Sequence, residues 1–168
     1  HGKGEASRNL HNWARKYRLL DGEGSRLTLL NNWEATYFDF DEKILSGLFR
    51  DGKKLGVDMF LLDDGWFANK YPRNSDRYGL GDWQENAKKL PHGLGYLVKE
   101  AKDAGIKFGI WLEPEMVSPK SELYEKHKDW VIRQPERPEH YFRNQLVLDL
   151  SNPDVQNFVF GVVDSLFI

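Results

Sequence analysis

Apolar residues come in short bursts separated by helical spacing. Leu27-Thr-Leu-Leu30 is a brief β-prone run that stops at Asn31-Asn32-Trp33. From Asp41 to Leu55, Ile44, Leu45, Leu48 and Phe49 fall on one face at helical spacing, with Leu55 near it. Asp41 is placed to cap that helix, and Gly56 can take the left-handed position beyond its end. Val57-Asp-Met-Phe-Leu-Leu62 then reads as a buried strand running into Asp63-Asp64-Gly65-Trp66. A loop of about 26 residues follows, Phe67 to His92, and loops of that length inside domains usually carry function. Leu94 to Ala104 predicts a second helix stopped by Gly105, and Ile106-Lys-Phe-Gly-Ile-Trp111 a third strand leading into Glu113-Pro114-Glu115. Ser121 to His127 predicts a short helix, Leu146 to Asp149 an extended segment, and Asn152-Pro153 the start of a last helix reaching about Phe167. Before all of these, Gly2 to Gly24 is polar, with Leu10, Trp13 and Tyr17 at helical spacing, as in a short helix or connector.

Short apolar strands alternating with helices imply an α/β fold with parallel strands covered by helices. Polar and aromatic residues gather where each strand ends: Trp33 and Glu34, Asp63 and Asp64, Glu113 and Glu115. Ligands bind at that edge in both barrels and doubly wound sheets. No glycine-rich phosphate loop follows the first strand, which disfavours a nucleotide fold.

Composition narrows the partners. With 24 basic and 26 acidic residues, the formal charge of the 168-residue chain is -2. That balance gives no electrostatic reason to expect nucleic acid or an anionic membrane. No apolar run approaches the roughly 20 residues of a membrane span. There is no cysteine, hence neither a disulfide framework nor a thiolate metal site. No leader-like segment is visible, and a cytoplasmic location is the expectation, with a secreted or periplasmic one left open. Six tryptophans sit partly beside turn residues; they either fill the core or wall a pocket, since a flat ring suits the apolar face of a sugar.

Asp63 and Asp64 are adjacent carboxylates that repel and need hydrogen bonds or cations when buried. Sugar hydroxyls would satisfy them; so would Mg²⁺ or Ca²⁺; so would a simple turn. Glu113 and Glu115 read, from the residues alone, as candidate acid or nucleophile of glycoside hydrolysis, or as carboxylates that bond loop amides. His92, His127 and His140 show no metal-ligand spacing. Arg143 could clamp a carboxylate in a bidentate fork or sit on the surface.

Five stretches together carry a resemblance: Asn31-Asn-Trp-Glu-Ala-Thr-Tyr-Phe-Asp-Phe40, Leu62-Asp-Asp-Gly-Trp-Phe67, Gly79-Leu-Gly-Asp-Trp83, Gly109-Ile-Trp-Leu-Glu-Pro-Glu-Met-Val117 and Arg143-Asn-Gln-Leu-Val-Leu-Asp-Leu150. In order and spacing they resemble the α-galactosidases (melibiases) of glycoside hydrolase family 36. The resemblance runs from about Leu27 to the end of the chain. It implies that 27–168 form the N-terminal part of a (β/α)8 TIM-type catalytic barrel, with about three parallel strands and their helices. Residues 1–26 then correspond to a connector from a preceding β-sandwich domain. The implied activity is retaining hydrolysis of terminal α-linked galactose from oligosaccharides, without metal or other cofactor, by a full-length homo-oligomer. It also implies that Asp63 and Asp64 bind the galactose 4- and 6-hydroxyls, that Trp111 walls the pocket, that Arg143 lines it, and that Trp33 is a further pocket residue. Glu113 and Glu115 are not the family's catalytic carboxylates.

The family's nucleophile lies in a Lys-Trp-Asp segment on the next strand, and its acid/base follows later; neither segment occurs here, so both are expected beyond Ile168. A retaining mechanism needs both carboxylates roughly 5 Å apart. The purified 168-residue chain is therefore expected not to cleave an aryl α-galactoside, and release of the phenol above the protein-free rate would refute this. Two other readings remain: a non-catalytic sugar-binding or assembly module, and an α-N-acetylgalactosaminidase with more room at the 2-position.

Overall fold

The computed structural model describes residues 2–167. Three parallel strands form its centre: β1 (Leu29–Asn31), β2 (Met59–Leu62) and β3 (Lys107–Ile110), in the order β1-β2-β3. Leu30 pairs with Phe60, and Phe60 with Phe108. Each predicted strand is present, a residue or two shorter at its N-terminal side than the apolar run that signalled it.

Helix α1 (Lys3–Tyr17) precedes the sheet. It is longer than the expected short connector, and none of its residues is buried. Immediately after β1 comes one turn of helix, α2 (Trp33–Thr36), which four residues are too few to announce by period. α3 (Glu42–Lys54) links β1 to β2, and α4 (Gly93–Asp103) links β2 to β3. The Asp41 carboxylate accepts from the Ile44 amide at 2.8 Å, filling one of the helix's orphan donors. Gly56, at φ 84°, lets the chain leave the helix in a conformation that other residues resist. The buried face of α3 runs through Leu45, Phe49 and Gly52. Ile44 lies beside that face rather than on it and stays 43% exposed, and Leu55 caps the helix in solvent.

Phe49 packs edge-on against Phe60 and Phe108, with ring centroids 4.8 and 6.1 Å away, so the helix locks onto two strands at once. Phe60 and Leu62 are wholly buried, whereas Met59 and Leu61 on the opposite face are half-buried. That alternation is what a strand with a helix on one side gives.

After β3 the chain forms β4 (Met116–Val117), α5 (Glu122–Lys126), a 3₁₀ turn (Lys128–Trp130), β5 (Leu146–Val147) and α6 (Pro153–Ser165). The extended segment expected at Leu146 pairs antiparallel with β4. Val117, Leu123, Val131, Leu146, Leu148 and Val155 form a second, smaller core there. Asn152 caps α6 by accepting from the Asp154 amide, with Pro153 in the first turn as predicted. No helix among the described residues is long and apolar enough to cross a membrane.

Candidate functional site

The C-terminal ends of the three parallel strands share one edge, and their side chains are tied to one another. At the end of β1, the Asn31 Nδ2 donates to Asp63 Oδ2 at 2.6 Å, and the Asn32 Oδ1 accepts from the Asp63 amide at 2.8 Å. The Asp64 amide in turn donates to Asp63 Oδ1 at 2.7 Å. Two asparagines thus stitch the first strand end to the second and set the direction of Asp63, which is half-buried.

Asp64, on the other side of the chain, is buried and faces Arg73, which is 0% exposed. Arg73 Nε donates to Asp64 Oδ1 at 2.9 Å and Nη2 to Oδ2 at 2.8 Å, the bidentate fork that holds a carboxylate in a fixed plane. Arg73 Nη1 donates to the Tyr78 carbonyl, and the guanidinium lies over the Phe38 and Phe67 rings at 5.7 and 5.9 Å. Beneath them Lys89 Nζ donates to the carbonyls of Phe38, Gly65 and Arg73, at 2.8, 2.8 and 3.2 Å. Burial pushes the Lys89 ammonium down to about 8, against the pull of Asp64 and Asp39. Gly65, at φ 106°, makes the turn after the aspartates; a Cβ there would meet Phe38, Phe40 and the Arg73 carbonyl at 3.1 to 3.3 Å.

The third strand end supplies the aromatic side. The Trp111 amide donates to the Leu62 carbonyl at 2.8 Å, extending the sheet register to the edge. Its own carbonyl accepts from Trp66 Nε1 at 3.0 Å. The Trp111 ring lies nearly parallel to Phe67 with centroids 6.5 Å apart, and Trp83 packs against both at 6.2 and 4.4 Å. Trp33 meets Phe38 edge-on at 5.0 Å. Trp33, Asp64 and Trp111 therefore belong to one assembly, joined through Phe38, Arg73 and Phe67.

Arg143 arrives from a tight turn in which it and Asn144 adopt φ 49° and 60°, between Phe142 and Gln145, which bond to each other in both directions. It is exposed. Burial raises the Glu113 carboxyl above its usual range; Arg143 opposes that rise, Glu115 adds to it, and Arg73 and Asp64 act in opposite directions from farther along the edge. Gln145 is 1% exposed and its Nε2 donates to Glu113 Oε2 at 3.4 Å. Glu115 is exposed, and its backbone carbonyl accepts from the Leu148 amide.

The histidines stand apart from this edge: His92 pairs with Glu42, His127 stacks on Trp130, and His140 is exposed. Among the described residues no three His, Cys, Asp or Glu side chains come together as a metal ion would require. Two hollows are not lined by Asp63, Asp64, Trp111, Trp33 or Arg143. One, of about 550 Å³, is walled by Trp83, Trp130 and Phe158; the other, about 600 Å³ and apolar, lies among Met59, Leu61, Phe108, Ile110 and Phe167. Sequence patterning pointed to Asp63, Asp64 and Trp33 at strand ends, and the family resemblance added Trp111 and a pocket place for Arg143; neither pointed to Arg73, Lys89 or Gln145. The two asparagines were visible as the end of a strand and the head of one resembling stretch, with no role assigned to them.

The melibiase family model matches residues 1–168. The chain belongs to the melibiase family. Alpha-galactosidase AgaA of Geobacillus stearothermophilus is 49% identical over 141 residues, which are 84% of this chain and 19% of AgaA. Alpha-galactosidase C of Emericella nidulans is 40% identical over 175 residues, covering 98% of this chain and 23% of that protein. A crystal structure of an AgaA variant in complex with raffinose superposes with a TM-score of 0.90 at 45% identity, over 96% of this chain and 22% of that one. A second AgaA variant, in complex with stachyose, gives 0.89 over 95% of this chain and 22% of its own. This melibiase-family chain spans about a fifth of the length of the curated relatives it matches. Its α/β fold of three parallel strands and helices corresponds to the equivalent part of those enzymes.

Proposed function

We propose that the polypeptide carrying this chain is a retaining α-galactosidase that removes terminal α-linked galactose from oligosaccharides of the raffinose and stachyose kind. Residues 27–168 are then the first three strands and helices of its (β/α)8 barrel, and 1–26 the connector leading into it. The reacting carboxylates lie on later strands, and this part of the chain grips and orients the galactose ring.

One observation carries the reading: hydrogen bonds set the direction of both aspartates, and half-buried Asp63 keeps acceptor capacity to spare. An ionised carboxylate offers about four lone-pair sites. Asp63 uses two, on Asn31 and on the Asp64 amide. The fork from Arg73 likewise occupies one side of Asp64. The remaining acceptors suit hydroxyl donors such as the galactose 4- and 6-hydroxyls. Trp111, joined to Asp64 through Phe67 and Arg73, offers a flat ring for the apolar face of the sugar, and Trp33 and Arg143 are further contacts in this reading. Arg143, near Glu113, supplies positive charge toward the nucleophile.

Asp63→Asn in the full polypeptide tests this. A hydrogen bond to a charged group is worth roughly 1.5–3 kcal/mol, or about ten- to hundred-fold in affinity. KM for an aryl α-galactoside and the inhibition constant of galactose are expected to rise together by about that factor. Values within about two-fold of the parent would mean that Asp63 does not touch the sugar.

A further inference from the structure

Arg73 and Lys89 lie in the long loop after β2, and neither has a donor group facing solvent to spend on a substrate. Arg73 is 0% exposed, and its Nε, Nη1 and Nη2 are engaged with Asp64 and the Tyr78 carbonyl. An ammonium has three donors, and Lys89 directs them at three carbonyls from separate segments: Phe38 after β1, Gly65 after β2, and Arg73 itself. A buried guanidinium and a partly buried ammonium therefore direct their donors at the Asp64 carboxylate and at carbonyls on and around the turn that holds Asp63 and Asp64.

Taking a guanidinium fully and an ammonium partly out of water is unfavourable unless their partners are well placed, and a hydrophobic pair of similar volume would fill the space as well. What the cations add is direction. The fork fixes the plane of the Asp64 carboxylate, and the three-carbonyl clamp fixes the turn relative to the end of β1, where Asn31 holds Asp63. We propose that Arg73 and Lys89 are positioning residues for galactose recognition, Arg73 aiming the Asp64 carboxylate and Lys89 locking the turn that presents the aspartate pair. This rests on the reading of that pair as acceptors for the sugar hydroxyls.

The test uses the full polypeptide and two substrates, an aryl α-galactoside and its 4,6-dideoxy counterpart, which lacks both of the hydroxyls gripped. Asp63→Asn reports on the underlying reading, and Arg73→Lys on the proposal. Arg73→Lys keeps the charge but not the fork. It is expected to raise KM for the galactoside about ten-fold with kcat within about three-fold, and to raise KM for the dideoxy substrate by only about two- to three-fold. A purely structural role would depress both substrates equally. If Arg73→Lys does not accumulate as folded protein, Lys89→Arg carries the same test, because it keeps the charge and loses the three-carbonyl geometry. The proposal is overturned if Asp63→Asn raises KM while the positioning variant leaves it within two-fold, or affects both substrates alike. If Asp63→Asn itself has no effect, the reading of the aspartates as sugar acceptors is what fails.

Discussion

Replacing Asp64 with alanine is expected to destabilise the fold by about 3–5 kcal/mol, the range found when one partner of a buried ion pair is removed. Asp64 is 2% and Arg73 0% exposed, so the guanidinium cannot recover its hydration by turning outward. Only the Tyr78 carbonyl and the faces of Phe38 and Phe67 would remain as partners. Lys89, whose charged form Asp64 helps to hold, would lose that support too. The pair itself need not be net stabilising. Asp64→Leu combined with Arg73→Met, which removes both charges and keeps the volume, is expected to recover most of the loss while abolishing the proposed sugar contact. Urea unfolding of the full polypeptide, followed by tryptophan fluorescence, measures both. A loss below about 1 kcal/mol for Asp64→Ala would show that Arg73 finds another anion or water.

The scaffold of the site was legible because each strand announces itself by an apolar run cut off by charge or amide. The apolar run that ends at Leu62 calls for burial, and Asp63-Asp64 cannot follow it without polar partners, so strand end and edge are marked at one point. Helix α3 was legible from its ends, Asp41 and Gly56, as much as from its apolar face. The elements that escaped notice lack a local signal. β4 is two residues long and gains its partner from Leu146-Val147, about thirty residues later, so only the folded chain shows it as a strand. α1 was expected from its spacing, yet Leu10, Trp13 and Tyr17 remain exposed, at 62%, 45% and 59%. Its stripe of apolar residues is a property of the helix alone and says nothing of what covers it.

For the site the same division holds. Paired carboxylates and tryptophans at strand ends stand out as chemistry. Their counter-charges do not, because the loop from Phe67 to His92 has no period from which burial can be inferred. Lys88 and Lys89 are neighbours of the same type; one is exposed, and the other, more deeply set, reaches three carbonyls. Only the path of the backbone decides which. Glu113 shows the converse. From the sequence it could be read as a reacting carboxylate, and burial does raise its carboxyl, but in the fold it accepts from the Gln145 side-chain amide.

Trp66→Ala is expected to be as damaging as Asp64→Ala, by a different route. Trp66 is 0% exposed and packs against Phe67 and Trp83, with ring centroids 5.2 and 5.9 Å away. Truncating a buried tryptophan to alanine typically costs about 3–5 kcal/mol through lost contacts and the cavity left behind. The indole Nε1 also donates to the Trp111 carbonyl at 3.0 Å, and that bond ties the turn after β2 to the end of β3. Its loss frees the segment that carries the Trp111 ring, so sugar affinity should fall along with stability. Trp66→Phe separates the two effects. Phenylalanine keeps most of the volume but has no donor, so stability should drop by only about 1–2 kcal/mol, while the Trp111 carbonyl loses its partner. If Trp66→Phe weakens galactose binding at a temperature where the protein is fully folded, the indole bond holds the Trp111 wall in place. If binding is unchanged, Trp66 is a core residue and the wall is set by the sheet alone, through the Trp111 amide on the Leu62 carbonyl.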